Sequence, residues 1–356
     1  MSLAVECCRA SFCGARLNRA DLPLATIDWS RFLRLARFHR IEGLVWNALS
    51  NCADSMPEAA RYALAGHATA IAAHNLTAAA DCRELLSRFQ AERVPILFLK
   101  GLTVGALAYG NPALKAAIDI DLLVDPADLA KAAGLLRQCG YRLTTPRESA
   151  ADAILHAWHR SWKESVWMKS APRLQIDLHT RVADQRQLLP NLDVHSPRQL
   201  VTVGNDIQLP TFANDELFAY LAVHGASSAW FRLKWISDFA ALLDAVSAER
   251  LDQLFRTSQM LGAGRAAGQA LLLSDALFGT LQANVELRQE LERDRATRRL
   301  TRAALKFVTG EPNEPTARRF GTLTIHWTQF LLLPGARFRF SELLRQVNRP
   351  FVRARS

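Results

Sequence analysis

Two aspartates inside an apolar run constrain this chain more than any other feature. Asp119 and Asp121 alternate with isoleucine and leucine in the run 118–124. Alternation with a period of two is the period of a β-strand, so both carboxylates are predicted to leave the same face of one strand. Because two like charges side by side are costly, the pair indicates a site for a cation such as Mg²⁺.

A lysine and a glycine stand upstream of this pair, at the end of another apolar run. Residues 94–99 predict a buried strand, and Lys100-Gly101 separates this strand from a helical pattern over 102–109. A glycine at a strand-to-helix turn lets the backbone approach a phosphate closely. Together the two segments predict a site that holds a nucleoside triphosphate on the turn and Mg²⁺ on the carboxylates.

The order of these parts resembles the nucleotidyltransferase superfamily of the DNA polymerase β type. More narrowly, LKG at 99–101, DIDLLV at 119–124, IDLH at 176–179 and LKWISDF at 233–239 form an ordered set similar to an uncharacterised bacterial nucleotidyltransferase family. The resemblance covers roughly residues 30–245. An isolated Asp-x-Asp is a weak signal, whereas the ordered set is much more specific.

The resemblance implies an enzyme that moves a nucleoside monophosphate from an NTP, with ATP as the expected donor, to an acceptor hydroxyl or phosphate. Asp119 and Asp121 would hold two Mg²⁺ ions, and Asp177 would complete the metal site or act as a base. The implied acceptor is a small molecule, a sugar, a protein side chain or RNA. Simple sheet-face acids, with Asp177 in a salt bridge, are the alternative interpretation.

The resemblance also implies a set of binding residues around the carboxylates. Lys100, Gly101 and Lys115 would handle the triphosphate, with Thr103 as a further donor. His179, two residues after Asp177 on the same strand, would orient a substrate or Asp177 itself. Three residues of the following helices would face the cleft and contact nucleotide or acceptor: His224, Lys234 and Asp238. For these three, a helix-end histidine and an ordinary i,i+4 ion pair are the alternative.

Two departures from the family pattern leave a second function open. Leu102 stands where the superfamily commonly has a small or hydroxyl residue, and Lys115 stands where the family generally carries arginine. A lysine keeps the charge but loses the bidentate fork of arginine. The alternative is therefore a catalytically inactive protein of the same fold that binds a nucleotide or a partner.

The remaining patterns predict an α+β fold, in which a small mixed β-sheet core lies between helical N- and C-terminal regions. We expect a helical region over 1–92, the nucleotidyltransferase core over 93–212, a helical domain over 213–309, and a linker with a basic amphipathic tail over 310–356. One long helix is predicted over 57–91 and another over 284–307. The tryptophan-rich segment 152–170 shows both helical and strand patterns.

Charge and cysteine content add expectations about partners and compartment. The net charge of +10 favours anionic partners, and six arginines against one acid follow Gly335. This tail is predicted to rest on an anionic membrane surface, to bind nucleic acid, or to be a packing helix with a solvated basic end. The six cysteines form no CxxC pair, and those at 7, 8 and 13 are expected to be free thiols in a mobile segment. With no apolar run long enough to span a bilayer, we expect a cytoplasmic protein.

Overall fold

A five-stranded mixed sheet forms the centre of the protein. The computed structural model describes residues 1–12, 17–18, 22, 24–147, 152–204, 206–317 and 320–355, with the backbone alone at 25, 317 and 349–355. The strand order is β1-β2-β5-β4-β3; β2 and β5 are parallel and the other neighbours are antiparallel. The strands are β1 (Leu97–Phe98), β2 (Ile120–Leu123), β3 (Arg142–Thr145), β4 (Glu164–Ser170) and β5 (Arg173–His179), and a separate ribbon pairs β6 (Arg198–Thr202) with β7 (Gln208–Phe212).

Helices precede and follow the sheet, which confirms the predicted α+β class. Before β1 lie α1 (Ser2–Phe12), α2 (Trp29–His39), α3 (Glu42–Leu49) and α4 (Glu58–Ala91). Between the strands lie α5 (Leu102–Tyr109), α6 (Leu129–Gln138) and α7 (Asp152–Ser161). After β7 come α8 (Asn214–Ser227), α9 (Leu233–Ala241), α10 (Ala248–Met260), α11 (Arg265–Phe278), α12 (Val285–Arg293), α13 (Arg295–Val308), α14 (Leu323–Gln329) and α15 (Ala336–Arg355).

Apolar side chains form two clusters that the sheet separates. The sheet cluster joins one face of the sheet, including Leu122 and Ile176, to the second half of α4 and to α6. The helical cluster joins α1, α3, α8, α9 and α11. Because side chains alternate along a strand, the polar residues of β2 and β5 leave the face opposite the sheet cluster. That face is where the predicted site residues lie.

The structure differs from the sequence-based prediction at several element boundaries. The expected strand over 94–99 pairs only at Leu97–Phe98, and Asp119 precedes β2 rather than lying within it. The single helix predicted over 284–307 is wrong, because Asp294 ends α12 and caps α13. Its Oδ1 accepts a hydrogen bond from Ala296 N at 3.1 Å and its Oδ2 accepts one from the Thr297 hydroxyl at 2.8 Å. A side chain that satisfies the first amides of a helix starts a new one.

The structure also tests the predictions made for the tryptophan-rich segment and for the N-terminal cysteines. The tryptophan-rich segment contains both predicted states, since α7 carries Trp158 and β4 carries Trp167. The expectation of a mobile N-terminal cysteine segment is wrong for Cys7 and Cys8, which lie fully buried in α1 against the helical cluster. Cys13 lies outside the described residues.

Candidate active site

Sheet register brings two of the predicted carboxylates side by side. Asp121 on β2 stands opposite Asp177 on the parallel neighbour β5, and Leu123 stands opposite His179. Asp121 is held in the sheet from both sides, because its carbonyl also accepts a hydrogen bond from Leu99 N at 3.0 Å. Both aspartates are buried. Their burial and adjacency follow from the register alone.

The turn after β1 places Lys100 against the aspartates of the Asp-x-Asp motif. Lys100 Nζ lies 2.8 Å from Asp121 Oδ2 and 3.5 Å from Asp119 Oδ2. Gly101 has a φ of 75°, a conformation that residues with a Cβ rarely adopt. A Cβ at this position would also meet the Asp119 carbonyl oxygen at 3.5 Å. Gly101 therefore allows the turn that directs Lys100 at the carboxylates.

His179 completes a compact set of metal-ligand atoms. Single donor atoms of Asp121, Asp177 and His179 all lie within 4.8 Å of one another. His179 Nε2 lies 3.1 Å from Asp121 Oδ1, and Gln175 donates a hydrogen bond to Asp177 Oδ1 at 2.9 Å. Two carboxylates and an imidazole form a donor set that divalent cations accept.

The pKa values of the Asp177 and Asp119 carboxyl groups are shifted in opposite directions. Burial, followed by the negative charges of Asp121 and Glu164, raises the pKa of Asp177 to about 8. Burial opposes ionisation of Asp119 as well, but the ammonium groups of Lys100 and Lys234 hold the pKa of that carboxyl below its ordinary value. Because burial and the neighbouring negative charges oppose ionisation of Asp177, a divalent cation beside it would favour the ionised carboxylate.

Glu164 and Lys163 are residues of this site that the sequence interpretation missed. Glu164 begins β4 and Lys163 directly precedes it. Glu164 stands opposite His179 in the sheet, with its Oε2 3.4 Å from His179 Nε2. Lys163 forms an ion pair with Glu164, and its Nζ lies 3.4 Å from His179 Nδ1. Burial opposes ionisation of Glu164, yet Lys163 lowers its pKa to about 2. The strand pattern of residues 166–168 was the available signal.

A cleft of about 430 Å³ opens above this face of the sheet. Asp119, Asp121 and Asp177 lie on one wall. Helices α8 and α9 and the residue after α8 supply part of the opposite wall, with His224, Ser227, Ser228, Lys234 and Trp235. A volume of this order accommodates a small-molecule ligand.

His224 and Lys234 line the cleft, and the pKa of each is lowered. Burial and the nearby charge of Lys100 lower the pKa of His224 well below its ordinary value, so the ring is neutral. Its Nε2 atom is buried and has no hydrogen-bond partner among the described residues. Burial and the charge of Lys115 lower the pKa of Lys234 to about 7, while its Nζ donates to the Ala116 carbonyl at 2.9 Å.

Three of the predicted site residues form internal contacts and do not line the main cleft: Lys115, Asp238 and Thr103. Lys115 Nζ lies 3.2 Å from Asp238 Oδ2, and Tyr109 donates a hydrogen bond to Asp238 Oδ1 at 2.9 Å. Asp238 therefore pairs with Lys115 of a different element, whereas the alternative interpretation expected an i,i+4 pair with Lys234. Lys115 and Asp238 line a smaller space beside Gly101. The fully buried Thr103 hydroxyl donates to the Phe98 carbonyl at 3.4 Å, which supports the turn.

A comparison with protein families agrees with this arrangement. The model of an uncharacterised nucleotidyltransferase family matches residues 25–279. The chain belongs to this family. No curated protein matches the chain.

The nucleotidyltransferase match contains every site residue predicted from the sequence, from Lys100 to Asp238. The cleft extends beyond the match, because α14 and α15 form a third wall after residue 279. Arg40, at the end of α2, also lines the cleft. Neither contribution was predicted, since both reach the cleft through tertiary packing. The residues of the third wall are Thr322, Ile325, His326, Gln329, Leu332, Phe338 and Glu342.

A buried carboxylate fixes this third wall. Glu342 is fully buried and accepts hydrogen bonds from Arg345 Nη2 at 2.6 Å and from Gln346 Nε2 at 2.6 Å. Gln185, which follows β5 in the chain, donates to Glu342 Oε2 at 3.2 Å. Arg345 also donates to Gln329 of α14. The network joins α14 and α15 to the segment that follows β5.

Proposed function

We propose that this nucleotidyltransferase moves a nucleoside monophosphate from an NTP, with ATP as the donor, to an acceptor hydroxyl or phosphate in a reaction that depends on Mg²⁺. The observation that carries the proposal is the convergence of Asp121, Asp177 and His179 within 4.8 Å, beside Asp119 and Lys100. The likeness to the DNA polymerase β type of superfamily supports the same reading. The acceptor classes remain a small molecule, a sugar, a protein side chain and RNA.

Asp121 and Asp177 would hold the metal, with His179 as a further donor and Asp119 beside them. When bound, a divalent cation supplies Lewis-acid polarisation of the reacting phosphate and neutralises the pyrophosphate leaving group. His179, through its contact with Asp121 Oδ1, fixes the rotamer of that carboxylate. The buried carboxylates and the raised pKa of Asp177 are the features of this structure that fit such an ion.

As the alternative to metal binding, Asp177 would receive the acceptor proton. Without a cation beside it, its pKa of about 8 lies near the working pH, which suits a general base. The Gln175 amide holds one of its oxygens by a hydrogen bond at 2.9 Å. The other oxygen is then available to a hydroxyl that approaches along the cleft.

Lys100, His224 and Lys234 would bind the triphosphate. Lys100 carries a full positive charge, because Asp121 and Asp119 outweigh its burial and raise its pKa. The neutral ring of His224 offers its unpartnered Nε2 to a ligand, and Lys234 adds a charge that depends on pH. These three residues project from different elements into one cleft, so a triphosphate can contact all of them.

The test is release of pyrophosphate from each NTP with Mg²⁺, over a panel of the four acceptor classes. We expect turnover in the wild-type protein and a loss of at least about a hundredfold in Asp121→Asn, since removal of one metal-binding charge disables the site. Asp128→Asn, on the turn that precedes α6, is the matched control and should keep full activity. Equal rates in Asp121→Asn and the wild type would refute the proposal.

A second candidate is a nucleotide- or partner-binding protein without turnover. It is favoured by two observations: Lys115 is held in a buried pair with Asp238, and Leu102 is buried where a phosphate-binding hydroxyl is common. Titration calorimetry with ATP and Mg²⁺ distinguishes the two candidates. Binding without pyrophosphate release across all acceptor classes would support this second function.

A further inference from the structure

The outer surface of α15 carries an apolar stripe that is about half exposed. Phe340, Leu343, Leu344 and Val347 recur at the i, i+3, i+4 and i+7 spacing of one helix face, and they are 63%, 49%, 45% and 52% exposed. The opposite face of the same helix is buried, through Phe338 and Glu342 among others. The helix therefore carries apolar side chains on two faces: Phe338 on the buried face and the stripe on the exposed face.

Exposed apolar residues also occur on and before α14, and arginines flank the α15 stripe. On α14, Leu323 and Trp327 are 57% and 48% exposed at i,i+4 spacing, and Phe320 precedes them. At about 100° per residue, Arg337 and Arg339 fall on the two sides of the α15 stripe, and both are exposed. The two helices are held together, because Gln346 donates to the His326 carbonyl at 2.9 Å.

Charge decides which partner fits this surface. From residue 320 to 355 the sequence has six arginines and a single acid, Glu342, and that acid is buried against Arg345. A second copy of the chain would bring two arginine-flanked surfaces together, which costs energy. A nucleic-acid backbone would meet the arginines but would leave the apolar stripe without a partner. An anionic bilayer meets both, since its headgroups attract the arginines and its acyl region receives the apolar side chains.

We propose that α14 and α15 form a docking surface for an anionic membrane, with the α15 stripe inserted at the level of the headgroups and Arg337 and Arg339 on the lipid phosphates. Aromatic groups such as Trp327 favour this interfacial depth. The described part of the chain holds no helix of the length and apolar content needed to cross a bilayer, so the association is peripheral. The proposal does not depend on nucleotidyl transfer.

Co-sedimentation with vesicles tests this surface. The full chain should bind phosphatidylcholine vesicles that contain phosphatidylglycerol, bind pure phosphatidylcholine vesicles at least about tenfold more weakly, and lose affinity as salt is added. Leu343→Glu/Leu344→Glu should reduce binding by at least about tenfold, because two charges enter the headgroup region. The matched control is Leu76→Glu on α4, at a leucine that is 69% exposed, and it should bind as the wild type does.

Arginine variants test the electrostatic half of the proposal. Arg337→Ala/Arg339→Ala should weaken binding to the anionic vesicles by about tenfold, whereas Arg83→Ala/Arg173→Ala removes the same charge from other exposed positions and should leave binding nearly unchanged. Circular dichroism establishes that each variant is folded. Equal binding to both kinds of vesicle, no vesicle binding, or an unaffected Leu343→Glu/Leu344→Glu variant would overturn the proposal. So would tighter binding to an RNA duplex than to vesicles, or a dimer that these substitutions dissociate.

Discussion

At the scale of single residues, the site is governed by how positive groups are distributed around buried acids. Lys100 contacts both aspartates of the Asp-x-Asp motif, Lys163 pairs with Glu164, and Lys115 pairs with Asp238. Lys234 is a buried lysine whose pKa is lowered to about 7, since burial and the neighbouring Lys115 both oppose its charge. A group that titrates near neutral pH inside a cleft makes ligand binding depend on pH.

The protonation of Lys234 leads to a prediction about nucleotide affinity. With divalent cations chelated, wild-type protein should bind ATP more tightly than Lys234→Gln by roughly fivefold at about pH 6, where the ammonium is charged. The ratio of the two dissociation constants should approach one by about pH 8.5, because the lysine is then neutral in the folded protein. The titration of ATP and of Asp177 affects both dissociation constants alike, so it cancels in their ratio. Calorimetric titration at several pH values measures it.

The lowered pKa of Lys234 also determines how the stability of the folded protein changes with pH. The folded-state pKa of about 7 lies below the ordinary value of 10.5, so between these values the unfolded chain binds the additional proton. The free energy of unfolding therefore rises with pH in this window, relative to Lys234→Gln. A ratio of dissociation constants that stays constant across the pH range would show that Lys234 keeps its charge or does not contact the triphosphate.

At the scale of elements, the turn between α8 and α9 determines where His224 and Lys234 point. Ala229 and Trp230 both have positive φ, at 48° and 53°, in the connection between the two helices. The Trp230 ring lies against Gly225, where a Cβ would approach ring atoms to 2.4 Å. Since the ring is fully buried, it has little room to move.

We therefore expect Gly225→Ala to destabilise the protein by about 1–3 kcal/mol, as overpacking of a filled core does. It should also weaken ATP binding, because the displaced turn leads into α9, which carries Lys234. Gly66→Ala, within α4, is the matched control: a Cβ there meets nothing within 4 Å, and alanine favours a helix over glycine by up to about 1 kcal/mol. Urea denaturation followed by circular dichroism measures both. A Gly225→Ala variant as stable as the wild type would show that the ring can shift.

At the scale of the whole molecule, the cleft depends on segments far apart in the sequence. Arg40 of α2, the carboxylates of β2 and β5, and Glu342 of α15 all line it. Glu342 is the link that attaches the third wall, since Gln185 donates to it from the segment after β5. Burial opposes the charge of Arg345, yet hydrogen bonds to Glu342 raise the pKa of that guanidinium.

Glu342→Gln should accordingly lower the free energy of unfolding by about 3 kcal/mol, because it leaves the mostly buried Arg345 charge without its partner. The control is Glu311→Gln, which breaks an ion pair with Arg31 whose partners are 61% and 62% exposed. That change should cost less than about 1 kcal/mol. Denaturant titrations of the three proteins compare them. Similar losses in the two variants would mean that the buried network contributes no more than a surface pair.

Sequence reasoning reached the parts of this molecule that short-range patterns encode. Asp121 and Asp177 meet because each stands in an alternating strand. Glu164 was missed because its segment carried two competing patterns. Arg40 and Glu342 were beyond reach, since only tertiary packing brings them to the cleft. The pairing of Lys115 with Asp238 likewise joins two elements whose contact no local pattern encodes.

The position of the cleft between the sheet cluster and the helical cluster has a thermodynamic consequence. A molecule bound there would contact β2 and β5 on one side and α8 and α9 on the other, so it would join elements of the two clusters. In a calorimetric scan, saturating ligand should then make the two cores melt as one cooperative unit, with a single sharpened heat-absorption peak.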